Sequence, residues 1–398
     1  MNNGPVGSKL SLVGWAITKA LFGFGHASLL SVSLLHKFMI IFIILVQSFK
    51  TKTRIDISYM YTLTAISPAF LMPRKCRAAM HFTVSASDFP PFLPKEVQNI
   101  EDPFARKLAT RIERLPVQVK FSNQEICIMS SCVKPQIQSQ TSPVVLLHGF
   151  DSSCLEWRYT LPMLEESGLE TWAIDILGWG FSDLEELPSC DVASKRNHLY
   201  QFWRSHIRRP VIMVGPSLGA AVAIDFAVNY PEAVDKLVLI DASVYAEGTG
   251  DLAKLQKPLA YAGVYLLKSV PLRLYANFLS FSGIALSTAI DWMKVGRLHC
   301  LYPWWEDATV NFMTSGGYSV ISQIKKVEKR TLIIWGEDDQ IVSNKLGVRL
   351  HCELPNATIR QIPDCGHIPH VEKPDSVSKL IMEFVGEDVY KEVQTAAL

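Results

Sequence analysis

The chain has 398 residues, of which 48% are hydrophobic and 19% charged, a composition typical of a protein with a substantial buried core. The formal net charge is only +1, so the overall charge does not point to a nucleic-acid partner. The eight cysteines include no C-x-x-C pair, and the ten histidines show neither H-x-x-x-H nor H-E-x-x-H spacing, which predicts a reducing compartment and no metal site.

Charge is unevenly distributed along the chain. Residues 1–80 contain nine Lys/Arg and one acid, Asp56, and a basic leader of this kind predicts organelle targeting, with the plastid as the favoured destination. Residues 29–49 are also about as long as a membrane helix, but His36 and Lys37 interrupt them and leave nine unbroken apolar residues, Phe38–Val46. Membrane association through an anchor at 29–49 is the main alternative to a transit segment, and a secretory signal is a further one.

The segment after the leader introduces the first predicted strands. Residues 81–116 are rich in proline and mixed in charge, which predicts a connector that ends in a short amphipathic helix over 102–115. A hairpin of strands Val117–Phe121 and Ile126–Met129 should follow. The next predicted elements are a strand at Val144–Leu147, a helix at about Leu155–Glu166, a strand at Thr171–Ile176 and a helix at Asp191–Ile207.

The stretch from Val211 to about Tyr230 predicts a strand, a tight turn and a helix. The turn is Gly215-Pro216-Ser217-Leu218-Gly219, a G-x-S-x-G pattern placed between the apolar run Val211–Val214 and an Ala-rich segment. Such a turn would lift the serine hydroxyl clear of the sheet, next to the free N–H groups of a helix N-terminus. The pentapeptide alone also fits an ordinary turn.

Beyond this helix the alternation of strands and helices is interrupted. A strand at Asp235–Ile240 ends before Asp241, and residues 244–326 then contain helical apolar segments with many Trp and Tyr residues. Strands resume at Thr331–Trp335, followed by the adjacent acids Asp338 and Asp339. The remaining elements are a helix at Asn344–Leu354, a strand at Thr358–Ile362, the Gly366-His367 pair, a helix at Asp375–Val385 and a polar tail over 387–398.

The ordered segments from residue 117 to 386 together resemble the α/β-hydrolase family, and most resemble its plant, plastid-type members. The resemblance rests on the H-G pair at 148–149, the phrase ILGWGFSD at 176–183, GPSLG at 215–219, G-x-x-D at 336–339 and G-H-x-P-H at 366–370. It implies a mostly parallel, eight-stranded sheet flanked by helices. The core would comprise 117–243 and 327–386, and 244–326 would form a helical cap inserted after the sixth strand.

The resemblance also implies roles for single residues. Ser217 would be the nucleophile, His367 the base and Asp339 the acid, while the backbone N–H groups of Phe150 and Leu218 would form the oxyanion hole. Gly215 and Gly219 would let the chain turn at the elbow. Two alternatives remain open: Asp241 as the acid and His370 as the base.

The implied activity is hydrolysis of a hydrophobic carboxylic ester, such as a lipid, prenyl or phytyl ester or a small acyl ester, without a cofactor. Thioesterase activity would use the same residues. Acyl transfer is a further alternative, because His370 and Asp375 fit an H-x-x-x-x-D pattern. A ligand-binding receptor on this fold is another. The sequence does not specify an oligomeric state.

Overall fold

The computed structural model describes residues 88–121, 124–245 and 252–396. The predicted leader (1–80) and membrane helix (29–49) lie outside these residues. Every described residue belongs to one compact unit, Ile66–Leu398. Within the described ranges, no helix combines the length and apolar character needed to cross a membrane.

An eight-stranded sheet organises the described residues, in the order β1-β2-β4-β3-β5-β6-β7-β8. Strands β1 and β2 pair antiparallel, as do β2 and β4, and all other neighbours are parallel. This mostly parallel sheet confirms the predicted α/β fold class. The strands are β1 (Ile112–Phe121), β2 (Gln124–Val133), β3 (Val144–Leu146), β4 (Thr171–Ile174), β5 (Val211–Pro216), β6 (Val234–Ile240), β7 (Arg330–Gly336) and β8 (Ala357–Ile362).

Helices cover both faces of the sheet, so the central strands are buried on both sides. In β3, Val144 and Leu146 contribute to one apolar core and Val145 to the other, as expected for a parallel strand between two helical layers. The helices are α1 (Pro103–Ala109), α2 (Thr160–Glu166), α3 (Val192–Phe202), α4 (Leu218–Asn229), α5 (Lys257–Leu267), α6 (Val270–Ser280), α7 (Leu286–Arg297), α8 (Trp305–Thr314), α9 (Ile321–Ile324), α10 (Asn344–Glu353), α11 (Pro369–Glu372) and α12 (Pro374–Ala396).

Two predicted boundaries were wrong. The helix predicted over 102–115 ends at Ala109, and β1 begins at Ile112 and pairs with β2 over ten residues. Pro116 fits within β1 because β1 is an edge strand, where a missing N–H costs no ladder hydrogen bond. At the other end of the chain, α12 continues to Ala396 through most of the predicted tail, since no proline interrupts it and Gly386 is tolerated within a helix.

Helices α5 to α9 form one insertion between β6 and β7, where the sequence predicted helices without a buried strand. The insertion contacts the sheet domain close to the end of β3. The buried carboxylate of Asp151 lies 2.5 Å from the guanidinium of Arg273 on α6 and accepts the indole N–H of Trp305 at 2.8 Å. These contacts join the inserted helices to the loop that follows β3.

Candidate active site

Ser217 lies at the sharp turn between β5 and α4. Its backbone angles, φ 50° and ψ −117°, are unfavourable for a residue with a side chain. The turn is held from both sides, because the Ser217 N–H donates to the Ile240 carbonyl at 2.8 Å and its own carbonyl accepts the Ser243 N–H at 3.1 Å. The neighbouring strand β6 and the chain after it therefore hold the serine in its strained conformation.

The two glycines of the turn allow the backbone to pass close to itself. A Cβ added at Gly215 would lie 2.2 Å from the Gly219 carbonyl oxygen, and one added at Gly219 would lie 2.7 Å from the His148 carbonyl oxygen. Both obstacles are backbone atoms, which cannot rotate away. The same close packing places Gly149 beside the serine, since a Cβ on Gly149 would be 3.8 Å from the Ser217 Cβ.

His367 and Asp339 form a direct pair at the ends of β8 and β7. The imidazole Nδ1 lies 2.8 Å from Asp339 Oδ2, and Asp339 Oδ1 accepts the N–H groups of Ile341 and Val342 at 2.7 and 2.9 Å. Burial acts to raise the pKa of Asp339, but the adjacent His367 and these backbone donors outweigh it and lower that pKa. Because Nδ1 is engaged, Nε2 is the imidazole nitrogen left for proton exchange.

Asp241, the alternative acid, lies next to this pair. Its Oδ1 accepts the Gly336 N–H at 2.9 Å, and the polar atoms of Asp241, Asp339 and His367 all lie within 4.8 Å of one another. Burial and the negative charge of Asp339 raise the pKa of Asp241 well above its usual range, which favours its protonated form. The imidazole hydrogen-bonds to Asp339 and not to Asp241.

The adjacent acid Asp338 points elsewhere. It accepts a hydrogen bond from the Ser282 hydroxyl at 2.8 Å, in the loop between α6 and α7. Residue type alone does not distinguish the two neighbouring carboxylates, and it was the resemblance to G-x-x-D that favoured Asp339. The turn after β7 sends them in different directions.

The loop after β3 carries the predicted oxyanion residue Phe150. Its ring lies edge-on to Trp179, with centroids 5.2 Å apart, and Trp179 in turn contacts Phe312 of α8 at 5.0 Å. Leu218 is the first residue of α4, and a helix's first N–H groups have no acceptor within the helix. His148 braces this region: its buried Nε2 accepts the Ile176 N–H at 3.0 Å and its Nδ1 lies 2.8 Å from the Gly149 carbonyl oxygen.

A buried pair that the sequence analysis missed connects the two sides of the site. His370 Nε2 lies 2.7 Å from Glu156 Oε1, and Glu156 Oε2 accepts the Gly149 N–H at 3.1 Å. His370 is fully buried, and its ring lies tilted against that of Trp157 with the centroids 4.5 Å apart. Glu156 carried no sequence signal, because its partner lies 214 residues further along the chain.

Two side-chain clusters in the described residues have the composition of a metal site. One is Asp241, Asp339 and His367, whose Asp339 oxygens are already occupied by hydrogen bonds. The other is Asp151, His299 and Cys300, but the Arg273 guanidinium lies against both Asp151 and Cys300. A fixed positive charge in this position disfavours a bound cation.

Comparison with known proteins places the chain among hydrolases. The profile of the alpha/beta hydrolase family matches residues 144–380. The alpha/beta hydrolase domain-containing protein VTE7 of Arabidopsis thaliana is 59% identical over 332 residues, which cover 83% of this chain and all of that protein. A 2-hydroxy-6-oxononadienedioate/2-hydroxy-6-oxononatrienedioate hydrolase of Burkholderia vietnamiensis is 26% identical over 61% of this chain and 86% of its own length.

Solved structures agree on the fold. A meta-cleavage product hydrolase from Pseudomonas fluorescens superposes with a TM-score of 0.54 at 21% identity, over 69% of this chain and 98% of its own. A thermophilic esterase from Thermogutta terrifontis gives 0.55 at 19% identity, again over 69% and 98%. At these identities the likeness concerns the fold alone.

Proposed function

Since this chain belongs to the α/β-hydrolase family, we propose that it is a serine hydrolase that cleaves a hydrophobic carboxylic ester through an acyl-enzyme. The observation that carries the proposal is the 2.8 Å contact between His367 and Asp339, on the same sheet edge as the strained Ser217. Parallel sheets gather their reactive groups at this edge, where the strands end.

In the proposed reaction His367 Nε2 takes the proton of the Ser217 hydroxyl while Oγ attacks the ester carbonyl carbon. The N–H groups of Phe150 and Leu218 donate to the developing oxyanion. The imidazolium then protonates the departing alcohol, which leaves an ester between the acyl group and Ser217. Water then gives a proton to His367 and attacks the acyl carbon, and Ser217 regains its proton as the ester bond breaks and the acid leaves. Asp339 stays ionised and stabilises the imidazolium. These steps require no cofactor.

A hydrophobic substrate suits the side chains around the loop after β3. The rings of Phe150, Trp179 and Phe312 pack against one another there, and the insertion supplies Phe312. We therefore assign residues 244–326 as a cap over the site, with 117–243 and 327–386 as the core. Phe150 is exposed and can bury apolar area of an acyl or alkyl chain, whereas Trp179 and Phe312 are themselves buried and support its ring.

Two other activities use the same groups. Thioester cleavage needs no further residue, and the relatives named as hydrolases of 2-hydroxy-6-oxo acids make cleavage of such ketonic substrates a second candidate. Acyl transfer through His370 is less favoured, because that imidazole is fully buried against Glu156. A receptor role would combine tight ligand binding with very slow turnover.

We propose that the protein acts in the plastid, supported by the basic leader and by its similarity to a plant protein. An anchor at 29–49 is the alternative location signal. The mass of the mature protein's N-terminal peptide distinguishes them, since a transit segment is removed and an anchor remains.

The function is tested with a fluorophosphonate probe and a series of p-nitrophenyl esters of increasing chain length. We expect the wild type to be labelled and to prefer longer chains, whereas Ser217→Ala and His367→Ala lose both labelling and turnover. Ser287→Ala, at an exposed serine on α7, is the matched control and should behave as wild type. Folded wild-type protein that neither labels nor turns over any ester would contradict the proposal.

A further inference from the structure

Asp151 directly follows Phe150, the residue whose N–H is a proposed oxyanion donor. Its φ of 51° is a left-handed conformation that is uncommon for a residue with a side chain and persists only where neighbouring contacts hold it. The residue is also buried, with only 8% of its surface exposed. Within the described residues, the side chains that contact its carboxylate all come from the insertion: Arg273, His299, Cys300 and Trp305.

Three parts of the insertion converge on this one carboxylate. Asp151 Oδ2 lies 2.5 Å from the guanidinium of Arg273 on α6. Asp151 Oδ1 accepts the indole N–H of Trp305, the first residue of α8, at 2.8 Å. The same oxygen lies 3.1 Å from Nε2 of His299, which comes directly after α7. The loop after β3 is therefore fastened to three separate segments of the insertion through a single side chain.

The Arg273 guanidinium is itself held in place. Its Nη1 donates to the Gly296 carbonyl at 3.0 Å, and its Nη2 lies 2.8 Å from Cys300 Sγ as well as against Asp151. A guanidinium is planar and rigid, so partners on two of its nitrogens fix its orientation. Asp151 is consequently anchored to a fixed frame formed by α6 and the end of α7.

We propose that Asp151 is a positioning residue through which the insertion holds the Phe150 N–H at the developing oxyanion. This inference rests on the proposed function and deepens it. On the other side of Phe150, the Gly149 N–H is held by Glu156 of the sheet domain. An oxyanion donor acts only at hydrogen-bond distance from the oxygen, and a displacement of about 1 Å can cost about a hundredfold in rate. The insertion would thus contribute to the chemical step as well as covering the site.

The test uses Asp151→Asn in the full chain. Asparagine cannot accept from both Trp305 and Arg273, because one side of its amide is a donor. We expect kcat for a p-nitrophenyl ester to fall about tenfold to a hundredfold, with KM within about twofold of wild type. A long-chain alkyl trifluoromethyl ketone adds the Ser217 oxygen to its carbonyl carbon and forms an oxyanion. Its inhibition constant should rise by the same factor as kcat falls, since this adduct resembles the transition state.

Glu170→Gln is the matched control. Glu170 is also a buried carboxylate paired with an arginine, Arg209, at 2.6 Å, and it accepts the Trp172 indole N–H at 3.5 Å. It directly precedes β4, however, and so lies at the opposite end of the strands from Ser217, which follows β5. We expect this variant to keep the wild-type kcat and the wild-type inhibition constant for the ketone.

Trp305→Phe approaches the same contact from the insertion, because it removes the indole N–H and keeps an aromatic ring. It should lower kcat and weaken inhibition by about threefold to tenfold, the effect of one hydrogen bond, and should add little to Asp151→Asn. This variant decides the test where Asp151→Asn does not fold.

Three results would overturn the inference. Folded Asp151→Asn, or Trp305→Phe in its place, with wild-type kcat and inhibition constant would exclude a positioning role and leave the proposed function intact. Equal losses of kcat in Glu170→Gln would reduce the role of Asp151 to general stability. Wild-type protein that neither hydrolyses the ester nor binds the ketone would contradict the proposed function itself, and this inference with it.

Discussion

Replacing Glu156 by alanine should weaken both the fold and the catalysis, because this buried carboxylate joins two loops of the site. It contacts His370 Nε2 at 2.7 Å and accepts the Gly149 N–H at 3.1 Å. The substitution leaves the His370 imidazole and the Gly149 N–H buried without this partner, and each such loss costs about 1–3 kcal/mol of stability. We expect the free energy of unfolding to fall by about 3–5 kcal/mol, as is typical when a buried pair is broken.

The lowered pKa of Glu156 reflects the same contact with His370 and gives the stability effect its pH dependence. Burial acts to raise this pKa, but the hydrogen bond and charge of His370 outweigh burial and lower it from 4.5 to about 2. The difference corresponds to about 3 kcal/mol. A carboxylate with a lowered pKa stabilises the fold above its unfolded pKa, and this contribution is lost as the pH falls from about 4.5 to about 2. The stability difference between wild type and Glu156→Gln should therefore shrink over that range.

Glu156→Ala should lower kcat by displacing the loop that carries Phe150, and not by removing a contact with substrate. Gly149 precedes Phe150, whose N–H is a proposed oxyanion donor, so a displaced loop lowers kcat. We expect a loss of about tenfold to a hundredfold with KM little changed, since the affected interaction belongs to the transition state. Urea unfolding at neutral pH and ester kinetics measure the two effects separately.

Glu165→Ala is the matched control. Glu165 is also a buried glutamate, held by both guanidinium nitrogens of Arg111 at 2.7 and 2.8 Å and by the Gln136 N–H at 3.0 Å. It should lose comparable stability while kcat stays within about twofold. A positioning role for Glu156 is excluded if Glu156→Ala keeps the wild-type kcat, or if Glu165→Ala loses as much kcat as Glu156→Ala does.

Three further substitutions test the site. Gly215→Ala should prevent soluble folding, because its Cβ would lie 2.2 Å from the Gly219 carbonyl oxygen; Gly386→Ala, with open space around it, should fold and melt normally. Asp339→Asn should lower kcat by about 10³–10⁴, because an amide no longer fixes the productive tautomer, and steady-state kinetics measure this loss. Asp241→Asn should keep kcat within about tenfold of wild type, since an amide can still accept the Gly336 N–H. An acid whose pKa is raised on folding destabilises the folded protein as the pH rises above about 3.8, and Asn at this position does not titrate. In urea unfolding, Asp241→Asn should therefore become more stable relative to wild type as the pH rises from acid toward neutral.

The sequence was most informative where chemistry requires a local pattern. Ser217 could be predicted because a strand, two glycines and a helix must follow one another closely for the turn to form. The parallel sheet could be predicted because its buried strands are continuous apolar runs. Both signals lie within short windows of the chain.

Contacts between distant segments could not be predicted in this way. Glu156 meets His370 across 214 residues, and Arg273 meets Asp151 across 122, so no local pattern marks either pair. The start of β1 was missed for a related reason. Its ten-residue pairing with β2, a tertiary interaction, decides the conformation of a segment whose local pattern also fits a helix.

Ser217 should carry the acyl group during turnover. Wild-type protein is mixed with a long-chain p-nitrophenyl ester and quenched in acid during the first turnover, and its peptides are mapped by mass spectrometry. We expect the mass of the acyl group to be added to the peptide containing Ser217 and to no other, and no adduct to form on Ser217→Ala. Turnover without an adduct, or an adduct on a different residue, would contradict it.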